Sequence, residues 1–253
     1  MLQIHQFPCL SDNYGFLVHD PASGETVAVD TPEAAKILAA AAENGWNITQ
    51  IWNTHWHGDH AGGNAEIVAR TGAKVTGPKE VERLGKAPDV VVDEGDTVSL
   101  GALKARVLNV GGHTNGHVAY VLDSEKIAFV GDTLFSLGCG RMFEGQPDQF
   151  WTSLSKLAAL PDDTTLYCAH EYTASNAKFA LSVDGDNPAL KKRAAEVEAL
   201  RAAGKATVPS LLADEKAANP FLRAPLLKSK IGMPGASDAE AFAALRKMKD
   251  GFK

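Results

Sequence analysis

Residues 54 to 63 of the chain read THWHGDHAGG, with histidines at positions 55, 57 and 60 and an aspartate at position 59. Neutral imidazole and carboxylate are the nitrogen and oxygen ligands that proteins use for zinc and related divalent metals. The apolar, β-branched stretch directly before the motif is typical of a strand, which places the motif in the loop that follows. The motif therefore predicts a metal site at the end of a strand in an α/β protein.

Three further candidate ligands also follow strand-like stretches directly. They are His113 in GGHT, Asp132 in GDT and His170 in AHE. Loops at the ends of neighbouring strands can converge on one edge of a sheet, so all seven candidates, His55, His57, Asp59 and His60 included, are expected to meet. A single catalytic zinc needs three protein ligands and a water, so seven candidates suit two divalent ions with one carboxylate shared between them. Zinc is the expected metal, and iron and manganese are the alternatives because they accept the same ligands.

The pattern of apolar residues changes near residue 172. Residues 1–172 contain strand-like segments with interspersed helical ones, which predicts an α/β catalytic domain. After that point the apolar spacing is helical, and no convincing strand is predicted. Residues 173–253 are therefore predicted to form a smaller helical domain. Its last helix begins at a capping box made by Ser237 and Glu240.

One local boundary is also predicted inside the first domain. Thr31 and Pro32 have the character of an N-cap followed by a first-turn proline. The alanine-rich run after them ends at Asn44-Gly45, which is a typical helix stop. A helix starting directly after Thr31 is therefore expected.

Composition and charge exclude several classes of protein. The 253 residues carry 25 Lys and Arg against 31 Asp and Glu, a net charge of −6 with no basic block, which argues against nucleic-acid binding. No apolar run reaches the ~18 residues of a membrane span, and the first ten residues do not resemble a secretory signal. Three cysteines without a CxxC pair predict neither a disulfide framework nor a zinc ribbon. A cytoplasmic monomer is the expectation.

The four ligand-bearing motifs THWHGDHAGG, GGHT, GDTLF and CAHEY resemble those of the metallo-β-lactamase superfamily. Further stretches, GCGR at 138–141, DNPAL at 186–190 and NPFLR at 219–223, resemble the glyoxalase II family of hydroxyacylglutathione hydrolases. The resemblance covers nearly the whole chain. It implies an αββα sandwich followed by a smaller α-helical domain that binds glutathione.

The resemblance also implies roles for the seven ligands. One metal takes His55, His57 and His113, the second takes Asp59, His60 and His170, and Asp132 bridges the two. Asp59 and Asp132 are thereby the candidate catalytic residues, together with a hydroxide that bridges the metals. The implied reaction is hydrolysis of S-D-lactoylglutathione, or another S-2-hydroxyacylglutathione, to D-lactate or the related 2-hydroxy acid and glutathione. This reaction belongs to methylglyoxal detoxification.

Glutathione carries two carboxylates, so a net acidic chain needs a local positive patch to bind it. The candidates are Arg141, Arg246 and Lys249, with Tyr172 as a hydroxyl donor. Arg246 and Lys249 are three residues apart and so lie on one helix face. Without the family resemblance, a solvated basic helix end would be the simpler interpretation of this pair. Phe143 stands where some relatives carry a tyrosine, which removes one possible hydroxyl contact.

Alternative functions remain open on the same scaffold. A mononuclear iron persulfide dioxygenase also acts on glutathione derivatives and keeps similar motifs, but it uses one metal with three ligands. The full ligand set through His170 favours two metals and hydrolysis. A nuclease is disfavoured by the acidic charge, and a non-catalytic metal-binding protein is disfavoured by retention of all seven candidates.

Overall fold

The computed structural model describes residues 2–252, and the chain divides into two compact units. The first unit takes the chain up to Asn109 together with Gly116–Gly131. The second takes Val110–Asn115 and the chain from Asp132 onward. The short segment that carries His113 therefore belongs to the second unit, although the chain on both sides of it belongs to the first. The domain boundary near residue 172 stays a prediction.

The first unit is built mainly from strands. They are β1 (Gln3–Cys9), β2 (Asn13–Asp20), β3 (Glu25–Val29), β4 (Ile48–Trp52), β5 (Lys74–Gly77), β6 (Val90–Val91), β7 (Thr97–Leu100), β8 (Leu103–Asn109), β9 (Val118–Leu122) and β10 (Ile127–Gly131). Its α-helices are α1 (Ala34–Glu43), α2 (Gly58–Ala61) and α3 (Asn64–Thr71). Short 3-10 helices cover Lys79–Leu84 and Asp123–Glu125.

Two layers of strands pack face to face inside this unit. Strands β1 to β6 are neighbours in chain order; the first three pair antiparallel and the rest pair parallel. Strands β7 to β10 are successive antiparallel neighbours. Between the layers, the rings of Trp52 and Tyr120 stack at 5.2 Å, and those of Phe16 and Phe129 meet at 5.6 Å. The Tyr120 hydroxyl, buried in this core, donates to the carbonyl of Asn53 at 2.8 Å.

Helices α1 and α3 cover the outer face of the first layer. Ile37 on α1 and Ile67 on α3 are fully buried in one cluster with Leu17, Ile51 and Val75 from the strands. Burying each such side chain contributes about 1.5–3 kcal/mol to folding. This packing fixes the end of β4, from which the histidine motif leaves the sheet.

The second unit is mostly helical. Its strands are β11 (Leu134–Phe135), β12 (Gly138–Cys139), β13 (Thr165–Cys168) and β14 (Ser210–Leu211). Its helices are α4 (Pro147–Ala158), α5 (Thr173–Asp184), α6 (Pro188–Ala202), α7 (Leu212–Ala218), α8 (Ala224–Leu227) and α9 (Asp238–Asp250). The sequence of the last helix does predict its start, because Ser237 and Glu240 form the expected capping box.

An aromatic core joins the helices of this unit. Phe242 on α9 contacts Phe150 of α4 at 5.4 Å and Phe221 at 6.2 Å between ring centroids. Phe221 in turn stacks on Phe179 of α5 at 5.8 Å. All four rings are fully buried. The face of α9 that carries Phe242 is thus anchored in the core of the unit.

Two local predictions are wrong. Helix α1 begins at Ala34 with Glu33 as the N-cap, because the Thr31 hydroxyl instead bonds Asn64 at 2.7 Å and the His60 carbonyl at 3.3 Å. A strand also occurs after residue 172, since β14 pairs antiparallel with β13. It has only two residues, which is too short for an alternating pattern to reveal.

None of the helices within residues 2–252 combines the length and the hydropathy that a membrane crossing requires.

Candidate metal centre

In the first unit, the histidine motif brings three imidazole rings together. His55 lies three residues beyond the end of β4, with its ring centroid 4.0 Å from that of His60 and 4.7 Å from that of His57. Nε2 of His55 and Nδ1 of His57 are 2.9 Å apart. Helix α2 begins at Gly58, so its first turn carries Asp59 and His60 toward the same place. The four candidate ligands of this motif therefore form one cluster.

Buried neighbours fix the orientation of these rings. Asp30 follows β3 in a left-handed backbone conformation, with φ of 58°, and is buried. Its carboxylate lies 2.8 Å from Nδ1 of His60 and accepts hydrogen bonds from Thr54, from the backbone N–H at 2.7 Å and from the hydroxyl at 2.8 Å. A carboxylate on one ring nitrogen sets the tautomer and leaves the other nitrogen for a metal. Asp30 thus directs Nε2 of His60 into the cluster.

Two more residues of the first unit hold the motif in place. The Asn13 amide donates to the carboxylate of Asp59 at 3.1 Å and to its carbonyl at 3.3 Å. The fully buried His117 ring stacks on His55 at 4.6 Å between centroids. Asp30 is not among the residues predicted from the sequence. Its only signal is an acidic residue at the end of the buried strand β3.

In the second unit, Asp132 lies between two histidines. Its Oδ2 is 3.3 Å from Nε2 of His113, and its Oδ1 is 3.3 Å from Nε2 of His170. All three side chains are buried. Each carboxylate oxygen therefore faces a different histidine, which is the arrangement expected of a carboxylate shared by two metal ions.

A backbone loop orients the His113 ring. The carbonyl oxygen of Arg141 lies 2.8 Å from Nδ1 of His113, so the Nε2 atom is the one that faces Asp132. Gly140 lies against both ligands: a Cβ there would overlap the carbonyl oxygen of Asp132 and lie 3.2 Å from Nδ1 of His113. On the other side, Gly112 has a φ of 147° and packs against Phe150, which suits glycine alone. The turn around His113 is therefore tightly defined.

The distances in both units fit divalent metal ions. Two ligand atoms at tetrahedral positions about 2.0–2.1 Å from a zinc ion lie about 3.3 Å apart. The two contacts of Asp132 have this separation, and Nε2 of His60 lies 3.5 Å from Oδ2 of Asp59. Five of the seven donors are buried, namely His55, His60, His113, Asp132 and His170. Polar groups so far from water need strong partners, and metal ions supply them.

Two aromatic side chains flank the histidines of the second unit. Tyr172 stacks on His170 with centroids 4.7 Å apart and rings almost parallel, at 4°. Phe143 approaches His113 at 5.2 Å. Both rings are partly exposed, at 38% and 61%. They offer apolar surface beside the two candidate ligands.

The basic candidates for substrate binding also lie in the second unit, in different surroundings. Arg141 is exposed. Lys249 donates to the backbone carbonyl and hydroxyl of Ser175 at 3.1 and 2.9 Å. Partial burial, together with the positive charges of Arg246 and Arg141, lowers the pKa of the Lys249 ammonium. Arg246 itself is buried. Its contact with substrate stays a prediction.

Two family models divide the chain between them. The metallo-β-lactamase superfamily model matches residues 17–170, and the model described as hydroxyacylglutathione hydrolase C-terminus matches residues 171–252. The chain belongs to the hydroxyacylglutathione hydrolase family. This membership confirms the resemblance and the fold class expected from the sequence, a metallo-β-lactamase-like α/β fold with a C-terminal helical region.

Individual relatives agree with the family models. The chain is 59% identical over its full length to a hydroxyacylglutathione hydrolase of Erythrobacter litoralis, of which it covers 100%. It is 58% identical to the hydroxyacylglutathione hydrolase of Maricaulis maris, with 99% of each chain aligned. Among solved structures, ETHE1 from Myxococcus xanthus aligns with a TM-score of 0.68 and 27% identity, over 97% of this chain and 90% of that one.

Proposed function

We propose that this chain hydrolyses S-2-hydroxyacylglutathione thioesters, S-D-lactoylglutathione among them, with two divalent metal ions. The observation that carries the proposal is the position of Asp132, whose two oxygens face His113 and His170 separately. Relatives more than 50% identical over the whole chain bear the name hydroxyacylglutathione hydrolase. The products are then a 2-hydroxy acid, such as D-lactate, and glutathione, as in methylglyoxal detoxification.

The seven candidate ligands divide into two sets in this proposal. His55, His57 and His113 hold one ion, Asp59, His60 and His170 hold the other, and Asp132 bridges them. Zinc is the proposed metal, and iron or manganese can replace it because all accept imidazole and carboxylate. When bound, such ions lower the pKa of a water molecule to ~7 and polarise a carbonyl group.

The chain's own residues orient the candidate ligands, hold them in place and keep bulk water away from them. Asp30 and the Arg141 carbonyl fix the rings of His60 and His113 through Nδ1, so that each presents Nε2. Asn13 holds the carboxylate of Asp59. Burial of most of the ligands keeps bulk water away and strengthens every charge interaction. The leaving group is a thiolate whose conjugate acid has a pKa of ~8.5, so no general acid is required.

We also propose that glutathione is bound within the second unit. Lys249 and Arg141 are close enough that their charges act together, since the charge of Arg141 contributes to the lowered pKa of Lys249. A carboxylate placed there relieves the repulsion between these cations. Tyr172, half exposed beside His170, can donate its hydroxyl to the tripeptide. A domain boundary near residue 172 is supported by the family models, which meet at 170 and 171.

A cytoplasmic, monomeric state completes the proposal. The three cysteines, Cys9, Cys139 and Cys168, are buried free thiols, which suits a reducing compartment.

Burial raises the pKa of Cys139 to about 11 and that of Cys168 to about 12. Neither thiol is therefore ready to act as a nucleophile near neutral pH.

The alternative, a mononuclear iron persulfide dioxygenase, is less supported. The named relatives at 58–59% identity are hydrolases. A dioxygenase with three metal ligands also leaves the contact between Asp132 and His170 without a purpose.

Metal analysis and a thioesterase assay on one purified preparation test the proposal. The expected result is about two metal ions per chain and loss of the thioester absorbance at ~240 nm without oxygen uptake. Asp123→Ala is the control variant for substitutions of the candidate ligands, because Asp123 is an exposed residue paired with Arg106. It should keep the metal content and the activity of the wild type. One iron per chain together with oxygen consumption would instead establish the dioxygenase.

A further inference from the structure

Arg246 is a buried arginine in the core-facing side of α9. Only 6% of its side chain is exposed. Its Nη1 donates to the carbonyl oxygen of Cys139 at 2.8 Å, and its Nη2 donates to Asp250 at 3.0 Å. The guanidinium lies over the Phe221 ring, 5.1 Å from the centroid. Within residues 2–252, its buried Nε has no hydrogen-bond partner.

The backbone that Arg246 holds is the loop that orients two candidate metal ligands. Cys139 is followed by Gly140, which packs against the carbonyl oxygen of Asp132 and the ring of His113. The next residue, Arg141, offers its carbonyl to Nδ1 of His113 at 2.8 Å. Arg246 therefore reaches both ligands through three consecutive residues of one loop.

We propose that Arg246 is a positioning residue for the metal centre, acting through the Cys139–Arg141 loop. The inference rests on the two-metal site of the proposed function. In it, α9 positions candidate metal ligands in addition to binding substrate. Burying a guanidinium with an unpaired Nε costs free energy, so the contacts it does make have to repay that cost. Its one backbone acceptor is the carbonyl two residues before the group that sets the tautomer of His113.

The contacts of Arg246 support this role in addition to the substrate contact predicted from the sequence. Its Nη1 donates to a backbone carbonyl, and its flat face lies over Phe221. Partners that orient a metal-binding histidine, when lost, typically lower metal affinity about 10- to 100-fold. Arg246 acts one step further away, so the lower end of that range is expected.

Zinc affinity, measured without substrate by competition with a chromogenic chelator, tests the proposal. Arg246→Ala is expected to weaken binding about tenfold. Arg246→Met keeps the apolar stem beside Phe221, removes the donor to Cys139 and is expected to show the same loss. The visible spectrum of the Co²⁺-loaded protein should change in both variants, because the His113 ring is no longer held.

Arg223→Ala is the matched control. Arg223 belongs to the same unit, is partly buried and pairs with Asp184 at 3.0 Å, but it does not bond the Cys139–Arg141 loop. This variant should lose stability and keep the zinc affinity and Co²⁺ spectrum of the wild type. If folded Arg246→Met or Arg246→Ala binds zinc like the wild type, with only a raised KM for glutathione thioesters, Arg246 is a substrate contact and the proposal is overturned.

The same measurements separate this inference from the proposed function. Zinc binding by the wild type without any thioester hydrolysis would overturn the proposed function and leave the comparison of Arg246 variants intact. A wild-type chain that binds no zinc or Co²⁺ would overturn both.

Discussion

Nδ1 of His60 lies 2.8 Å from the carboxylate of Asp30, a residue 30 positions earlier in the chain. The same carboxylate accepts hydrogen bonds from the backbone N–H and the hydroxyl of Thr54, which directly precedes His55. One buried side chain thus ties the first histidine of the motif to the last. The geometry of the motif depends on the end of β3 as well as on its own sequence.

Asp30→Asn should weaken zinc binding by about tenfold or more. An amide at this position keeps the left-handed backbone that asparagine tolerates, but it cannot accept all three hydrogen bonds as a carboxylate does. Chelator competition measures the change. Asp20→Asn is the control, because Asp20 is equally buried but stabilises the turn at Ala22 and Ser23. Equal zinc affinities of the two variants would contradict the orienting role of Asp30.

Asp132→Ala should remove nearly all thioester hydrolysis and lower the metal content below one ion per chain. The reason is that its two oxygens face different histidines, His113 and His170, each at 3.3 Å. Elemental analysis after gel filtration gives the metal count, and circular dichroism shows whether the fold is retained. A folded variant with two metal ions and full activity would exclude Asp132 as the bridge.

Changing both Arg141 and Lys249 to alanine should raise KM for glutathione thioesters at least tenfold and leave kcat nearly unchanged. Charged hydrogen bonds contribute about 1.5–3 kcal/mol, and each ~1.4 kcal/mol corresponds to a factor of ten. These contacts hold substrate and transition state alike, so turnover is spared. The effect should shrink at high salt. The matched control removes two exposed charges of the same unit, Lys192 and Lys247. An equal rise in KM in this control would show that long-range electrostatic attraction, and not direct contact with the substrate, causes the effect.

Asp184→Asn should lower the free energy of unfolding at neutral pH. It should also make that free energy depend less on pH in the acid range. Burial alone would raise the pKa of Asp184, but hydrogen bonds from Lys230, Asn187 and Arg223 outweigh it and the pKa is lowered. Between that value and the ~3.9 of an unfolded aspartate, the unfolded chain binds more protons. The stabilisation is therefore complete above this window and is lost as pH falls through the lowered pKa.

Urea unfolding at several pH values measures this contribution. We expect the wild type to exceed the Asn variant by about 1.5–3 kcal/mol at pH 7, with the gap closing in strong acid. Asp162→Asn serves for comparison, since Asp162 is 72% exposed in its pair with Lys216 and such surface pairs contribute about 0–1 kcal/mol. A gap that does not change with pH would show that the Asp184 charge is not responsible.

The sequence identifies seven candidate metal ligands because metal chemistry restricts residue type and local spacing, and their role as ligands stays a prediction. The strand before His55 and the capping box of α9 are short-range features, and both are present. Asp30 could not be predicted in the same way. Its role arises only when β3 and β4 lie side by side in parallel, which the residues around Asp30 do not reveal.

The burial of Arg246 shows a second limit of sequence patterns. Arginine three residues before Lys249 in an otherwise polar stretch is typical of an exposed helix face. Arg246 is, however, four residues after the fully buried Phe242 and so shares its core-facing side. The acceptor on Cys139 is 107 residues away in the chain. Only the packing of α9 against α4 and Phe221 identifies the direction in which the guanidinium points.

The assignment of Val110–Asn115 to the second unit has a consequence for biosynthesis. Once Gly131 has been synthesised, the first unit has all of its residues, including the four ligands of the histidine motif. His113 has also been made by then, but the loop that orients it and the arginine that holds that loop have not. Since compact units fold as wholes during translation, we expect His113, Asp132 and His170 to be held in their final positions only after α9 leaves the ribosome. Metal binding at full affinity is then a late step of maturation, and a chain stalled before α9 should bind metal more weakly.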